Sequence, residues 1–575
     1  MSFLVSSLPV LHLFAVAAAC SWVFGGQNGP ALAPWTPWLA FFTLEAMFFP
    51  QCREGESFSS ARARAWGGLV KDPLFYAAAA LAIYLAIPFF NASPCWICDA
   101  DLLPEGDPAY LHAPVRWLPT CTHTTWHYSV FTWFVLPAMA ALAVKHALRK
   151  RGRRALLEMM CWNGAALAVL GMAQSGTSAK APFWGDLFVP STVDPAEAEN
   201  YSNAFFSSFP YANAAACFFT MLFAVSCGIW QSKFAYFESL PSHKEFEHVK
   251  PPSHKTLRSH YMLAVAVLNF LGALHTGSRA GWIASIALGA VMALHIFCGY
   301  FQKAGRLGKT RILAAGIGLM AFVALTVAVF APEKNALESA RDEHTTAEAR
   351  SKSAPSAKDP QKQDESKKRT GIDHAISDFK TTTQLSFFDR LTGRVPTLGS
   401  RAAWKIFADN PAYGIGGWGF IDTSAWMFTE YGRGHWPELN DADWQAVCKQ
   451  WVDEATGPWT AGVGNVHNDY LQFLCEHGLV GVSLLAILMA LLMRPVFSAW
   501  RRLCSVAKFS KGGALPARPF ALYVLQTPVY GVIFATAAAA IHALADCPLR
   551  CAANTSCVIL MWACAGGYLP SEGTK

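Results

Sequence analysis

Charge is what this chain has least of. Asp, Glu, Lys and Arg make up 15% of its 575 residues, against 53% hydrophobic residues. The few charges fall in clusters, and the runs between them stay apolar for about 20 residues, the length of a helix that crosses a bilayer. Such runs lie near 9–25, 31–50, 73–91, 127–147, 155–173, 206–230, 260–275, 280–299, 312–331, 472–493, 520–541 and 551–569. The pattern is that of a polytopic membrane protein with about twelve spans. No basic residue precedes the first run and no small-residue cleavage site follows a short apolar stretch, so that run is expected to be a retained span rather than a secretory signal.

Among the short loops, basic residues are scarce in every second one. One set of loops holds Arg53, Arg62, Arg64 and Lys71, then Lys145, Arg149, Lys150, Arg151, Arg153 and Arg154. It continues with Lys303, Arg306, Lys309 and Arg311, and with Arg494, Arg501, Arg502, Lys508, Lys511 and Arg518. The short loops between carry one basic residue or none. Because Lys and Arg are retained on the cytoplasmic side, both termini are expected inside. The formal charge of +7 then reports topology and solvated patches for anionic headgroups rather than affinity for nucleic acid.

Three further absences narrow the chemistry. A CxxC at Cys95 and Cys98 is joined by Cys121, with His123 and His127 nearby, but no second CxxC completes a four-cysteine cage. A structural disulfide is therefore favoured over a redox pair or part of a metal site. The glycines of GIGGWGF at 414–420 follow no apolar strand and fall on the side without ATP or NAD, so they are not a nucleotide fingerprint. Residues 333–370 are charged, rich in Ala, Ser and Pro and nearly free of aromatics; they cannot bury enough apolar area to order themselves and are expected to be a mobile insert.

What is present divides the chain into a bundle at 1–331 (spans one to nine), an extracytoplasmic loop domain at 332–471 and a second bundle portion at 472–575 (spans ten to twelve). The fold class expected is an all-α polytopic membrane protein whose large outer loop is mainly helical. Within that loop SRAAWKIFAD fits a short amphipathic helix with Ser400 as its N-cap, ended by Asn410-Pro411. Trp426, Trp436, Trp444, Trp451 and Trp459 follow, suited to packing, to interfacial anchoring or to stacking on sugar rings.

The stretch Gly462–Leu492 passes from a glycine-punctuated loop through His467, Asn468, Asp469 and Tyr470 into an apolar helix, which suggests an active site at a membrane surface. Two other polar residues sit where polarity is expensive. Arg279, in the short turn HTGSRAGW, is at the outer membrane edge, and an ionisable residue at that depth has a partner or a function. Asn213 begins span six, as a helix-to-helix hydrogen-bonding residue or a substrate contact. Asp546, at an outer helix end, is expected to pair with Arg550 as a structural contact.

Four stretches taken in order, HTGSRAGW, SRAAWKIFADNPAYGIGGWGF, VHNDYLQFLCEHGLVG and HALADCPLRCAAN, together resemble the superfamily of O-antigen ligases and polymerases, which are membrane glycosyltransferases. FPYANAAA before span six is similar to the family's Asn-containing segment. The resemblance covers roughly 205–565. It implies transfer of a glycan from an undecaprenyl-diphosphate-type carrier to an acceptor hydroxyl at the outer face of a bacterial inner membrane, with no cofactor and no catalytic metal. It also implies roles for Arg279 and Arg401 on the diphosphate and for His467 as an essential residue.

The residue types suit those roles. Arg binds a leaving diphosphate through permanently charged, bidentate hydrogen bonds, and His titrates where a general base must. Asp469 is placed to orient His467 and Glu476 to touch donor or acceptor; with Asn213, Arg394 and Asn468 they complete the expected substrate-binding set. The expected partners are the lipid-linked glycan, an acceptor that is a glycan, a lipid A core or a protein, and membrane lipids. A polymerase or a protein O-oligosaccharyltransferase would use the same donor. A quinone-coupled thiol oxidoreductase built on Cys95 and Cys98 and a lipid-glycan transporter are the readings from other classes.

Overall fold

The structure is a computed structural model and describes residues 2–26, 29–93, 109–175, 205–238, 253–278, 281–290, 394–427, 430–437, 440–441, 444–445, 466, 468–509 and 527–568. Among these residues regular structure is helical, apart from an isolated bridge between Phe206 and Phe209. The helices that matter below are α1 (Ser2–Trp22), α2 (Thr36–Phe48), α3 (Phe58–Leu69), α4 (Pro73–Phe90), α5 (Thr124–Ala147), α6 (Lys150–Ser175), α7 (Ala212–Glu238) and α8 (Ser253–His275). They continue with α9 (Gly281–Ala290), α10 (Arg394–Asp409), α11 (Gly419–Met427), α12 (Asp469–Phe509), α13 (Thr527–Ala545) and α14 (Ala552–Ala565).

Five of the helices, α4, α5, α6, α7 and α12, are long and apolar enough to cross a membrane. Shorter apolar helices occupy Ser7–Trp22, Tyr261–His275, Gly281–Ala290 and Pro528–Leu544. The chain is thus a helical membrane protein. The run at 31–50 is not one long helix. Pro34 and Pro37 lack the N–H that a helix interior needs, so a 3-10 turn at Ala33–Trp35 precedes α2, whose 13 residues rise roughly 20 Å. The run at 312–331, the insert 333–370, Cys95 and Cys98 lie outside the described residues.

The bundle is centred on α14, every residue of which is buried. Its composition explains this: Ala552, Ala553, Ser556, Cys557, Ala563, Cys564 and Ala565 let neighbouring backbones approach closely. Helices α1, α5, α6 and α13 pack around it, while α7 packs against α8 and α13. Polar groups within the bundle are matched across helices. Trp22 Nε1 donates to Asn163 Oδ1 at 2.7 Å, and Asn163 Nδ2 donates to Ser21 Oγ at 2.8 Å, tying α1 to α6. Asn554 Nδ2 donates to the carbonyls of Ala214 and Pro548 at 2.9 and 2.6 Å.

The first two basic clusters meet at one end of the bundle. Asp72 caps α4 by accepting from Leu74 N at 3.1 Å and pairs with Lys145 Nζ at 2.6 Å, at the far end of α5. Arg149 N donates to Gln51 Oε1 at 2.8 Å, so the loop after α2 closes on the loop after α5. At the opposite end α5, α7, α12 and α14 begin and α13 finishes, and there the loop elements α10 and α11 sit.

Helix α12 is interrupted at that end. Gly478 adopts φ 59° and ψ −169°, a region only glycine enters readily. The turn after α10 is driven into the break. Leu479 N donates to Pro411 O at 2.9 Å and Val480 N to Ala412 O at 3.0 Å; Ile415 N donates to Cys475 O at 3.1 Å and Gly416 N to Glu476 O at 2.7 Å. Tyr84 of α4 donates to the His477 carbonyl at 2.7 Å. Backbone groups freed by the break are therefore satisfied by protein, the condition for irregular chain within a membrane protein. A Cβ on Gly478 would collide with the Ala412 carbonyl, one on Gly414 with the Glu476 backbone, and one on Gly416 with the Thr120 carbonyl. Gly414 and Gly416 of GIGGWGF are there for that close approach. The continuous apolar helix expected from 472 is thus a short segment from Asp469, a break, and a longer segment beyond it.

The amphipathic helix of the loop is α10, and it begins at Arg394, so Ser400 lies inside it rather than capping it. Pro396 occupies the first turn, where a missing N–H is tolerated. The helix ends before Asn410-Pro411 as expected. Ala402, Ala403 and Ile406 of α10 form a second small core with Phe420, Trp436, Trp444, Val466 and Cys475. Trp436 and Trp444 are packing residues; Trp451 and Trp459 lie outside the described residues.

Candidate functional site

The polar residues of the bundle collect where α12 starts, beside its break. Asp469 opens α12; its N–H donates to Asp546 O at 3.3 Å and its Oδ2 accepts from Leu549 N at 2.8 Å. One turn on, Gln472 Nε2 donates to Glu476 Oε1 at 3.1 Å. The same oxygen accepts from Arg550 Nη1 at 3.2 Å, an ion pair whose side chains are 10% and 4% exposed. The guanidinium of Arg550 lies 4.4 Å from the Trp418 ring centroid and 6.0 Å from that of Trp133. In a low-dielectric setting such a pair holds its geometry, because removing either partner leaves a buried charge alone.

Asn213 joins this group through α7. Its Nδ2 donates to Asp546 Oδ2 and to Tyr211 Oη, the latter at 2.9 Å, and Tyr211 Oη donates to Asp546 Oδ1 at 2.6 Å. Burial pushes the Tyr211 phenol well above its ordinary range, with the Asp546 charge adding to it, and burial does the same to the Cys547 thiol. The partner of Arg550 is therefore Glu476, not Asp546 as expected, because the turn Cys547–Arg550 directs the side chain toward the carboxylate beside the α12 break.

The turn between α8 and α9 abuts the same region. Gly277 has φ +75°, and Ser278 Oγ caps α9 by accepting from Gly281 N at 3.0 Å. Gly281 packs so closely on α7 that a Cβ would collide with Ala216, about one turn from Asn213. Arg279 itself lies outside the described residues, as does His467. Their neighbours are placed: Asn468 Oδ1 caps α12 by accepting from Leu471 N at 3.1 Å, its Nδ2 donates to Leu544 O at 3.1 Å, and Val466 is buried in the core that α10 shares. Arg401 is exposed on α10, its guanidinium 5.7 Å from the Trp436 ring centroid. Arg394 belongs to the first turn of α10.

Of the expected substrate-binding residues, Asn213, Asp469 and Glu476 share one hydrogen-bonded neighbourhood. Arg401 is on the loop helix above it. Arg550 was legible only as a structural partner, although the argument applied to Arg279 applies to it equally: a buried cation in a membrane protein needs a reason. Nothing in the local sequence CPLRC says that Trp133 and Trp418, far apart in the chain, would flank it.

Asp469, Gln472, Glu476 and Arg550 line a cavity of about 450 Å³, within the range of small-molecule sites. Its remaining wall is apolar, from Val130 and Phe134 of α5 and Phe473, Leu485 and Met489 of α12. Among the described residues no group of three or more His, Cys, Asp and Glu is arranged to hold a metal ion. His127 is buried with Nε2 2.9 Å from Leu85 O, and Cys121 is a free buried thiol that donates to Pro88 O at 3.5 Å rather than half of a disulfide; Cys95 and Cys98 lie outside the described residues.

Residues 264–486 match a family model described as O-antigen ligase. No curated protein matches the chain.

Proposed function

By its residues 264–486 the chain belongs to the O-antigen ligase superfamily, and from that premise we propose that it transfers a glycan from an undecaprenyl-diphosphate carrier to an acceptor hydroxyl. The observation that carries this reading is that the matched segment holds the turn with Arg279, the loop helix with Arg401, and the segment with His467 and Glu476. At the family level the activity is glycan transfer of the ligase or polymerase type. The finer reading places it at the outer face of a bacterial inner membrane, with both termini cytoplasmic.

In the proposed step the acceptor oxygen attacks the anomeric carbon of the donor sugar while the bond from that carbon to the diphosphate oxygen breaks. The acceptor proton passes to His467, and the electron pair leaves with the polyprenyl diphosphate. Attack opposite the leaving group inverts the anomeric centre. Arg279 and Arg401 stabilise the charge that develops on the diphosphate, which makes the step metal-independent. Asp469 and Asn468, which fix the start of α12, position His467; Asn213, Arg394 and Glu476 are assigned to substrate.

Purified protein assayed with a lipid-linked glycan tests these roles. His467→Ala is expected to lower the rate by about 100-fold or more, as loss of a general base does. Arg279→Lys keeps the charge but removes the fork, and is expected to lower the rate by roughly 100-fold. Chelation with EDTA is expected to leave the rate unchanged. A wild-type rate in His467→Ala removes the base assignment; unchanged rate and donor affinity in Arg279→Lys remove that residue from the site.

A further inference from the structure

Trp418 stands where the chain asks for glycine. Its φ is 68°, a left-handed conformation that a bulky side chain rarely enters and that the surrounding structure must impose. It lies between Gly417 and Gly419 and immediately precedes α11, so a glycine at 418 would meet the backbone's demand without strain. What a glycine could not supply is the indole. Its ring centroid lies 4.4 Å from the Arg550 guanidinium. The rings of Trp126 and Trp133, on one face of α5, are 5.0 and 6.2 Å from it. The indole is thus a wedge between α5 and the segment that leads into α14.

The same residue reaches the other half of the ion pair. Its N–H and that of Phe420 hydrogen-bond to the Glu476 carboxylate, whose Oε1 accepts from Arg550 Nη1 at 3.2 Å. Residue 418 therefore holds the acid by its backbone and the base by its ring, and N–H groups gathered around a left-handed residue form a concavity suited to an anion. The positions before it are fixed too, because Ile415 N and Gly416 N donate to the Cys475 and Glu476 carbonyls beside the α12 break. Helix α10, which bears Arg401, leads into this turn and packs on α12, which His467 precedes. We propose that Trp418 is a positioning residue for the glycan transfer: it locks the turn after α10 onto the Glu476–Arg550 pair, so that Arg401 keeps its place relative to the start of α12. The reaction it serves rests on the proposed function; the lock itself does not.

Variants of the full-length protein in detergent test it. Trp418→Gly removes the ring and relaxes the backbone; Trp418→Asn, which also tolerates a positive φ, serves if the glycine variant does not fold, and thermal unfolding checks both. With a lipid-linked glycan as donor, kcat is expected to fall about tenfold or more while the donor KM stays within about twofold, because misplacing a group that acts on the transition state costs rate rather than ground-state binding. Trp418→Phe keeps an aromatic face on Arg550 and is expected to recover most of the rate. Hydrogen exchange reads the lock without activity: amides 412–420 are expected to exchange roughly tenfold faster in the ringless variant and close to the wild-type rate in Trp418→Phe. A wild-type kcat in the folded ringless variant overturns the role in the reaction, as does a loss that only tracks the folded fraction or that Trp418→Phe fails to repair. Unchanged exchange overturns the lock. If the wild-type protein transfers no glycan, the transfer reading falls and exchange alone decides the lock.

Discussion

Gly478 concentrates several constraints in one residue. Its backbone lies where side chains are strained, its missing Cβ makes room for the Ala412 carbonyl, and the residues on either side of it exchange hydrogen bonds with the 411–416 turn. Gly478→Ala is expected to destabilise the protein by about 3 kcal/mol or more, combining backbone strain with a backbone clash; thermal unfolding in detergent measures it. At this scale the sequence was partly legible. Asn213 was marked by its polarity at a helix start, and Asp469 and Glu476 by their place beside His467; the structure sets the three in one hydrogen-bonded neighbourhood. Arg550 was misassigned because its partners come from α5, the 416–419 turn and α12, and long-range pairing of that kind leaves no local pattern.

Helices were legible to the extent that one apolar run makes one helix. Runs at 73–91, 127–147, 155–173 and 206–230 correspond to α4, α5, α6 and α7. Boundaries failed where a third element intervenes. Hydropathy is blind to the break in α12, because the turn that satisfies the freed backbone comes from another part of the chain. The start of α10 was placed at Ser400 by its capping chemistry, whereas the helix runs back to Arg394. The joint between α4 and α5 gives a test at this scale. Burial raises the Asp72 carboxyl, but hydrogen bonds from Lys145, Leu74 N–H and His146 outweigh it and hold the group below its ordinary 3.8. A depressed carboxylate contributes stability above its unfolded value and loses it as pH falls through the folded one. Asp72→Asn keeps the cap and removes the charge, so it is expected to cost about 1–3 kcal/mol at neutral pH. The difference from wild type is expected to shrink below pH 3.8, as read from unfolding midpoints across pH.

For the whole molecule, scarcity of charge and the spacing of apolar runs led to a helical membrane protein, and the first two basic clusters do meet at one end of the bundle. The polar cluster of Asp469, Glu476, Asp546 and Arg550 forms at the other end, where α5, α7, α12, α13 and α14 converge and the loop elements α10 and α11 pack on α12. Reconstitution of the full-length protein in vesicles, with an undecaprenyl-diphosphate glycan already on the acceptor side, tests the proposed activity most directly. Glycan is expected on a glycan, lipid A core or protein acceptor, with stoichiometric release of undecaprenyl diphosphate. Folded protein that leaves the donor's glycosidic bond intact with every acceptor, or merely moves the donor across the bilayer, would contradict it.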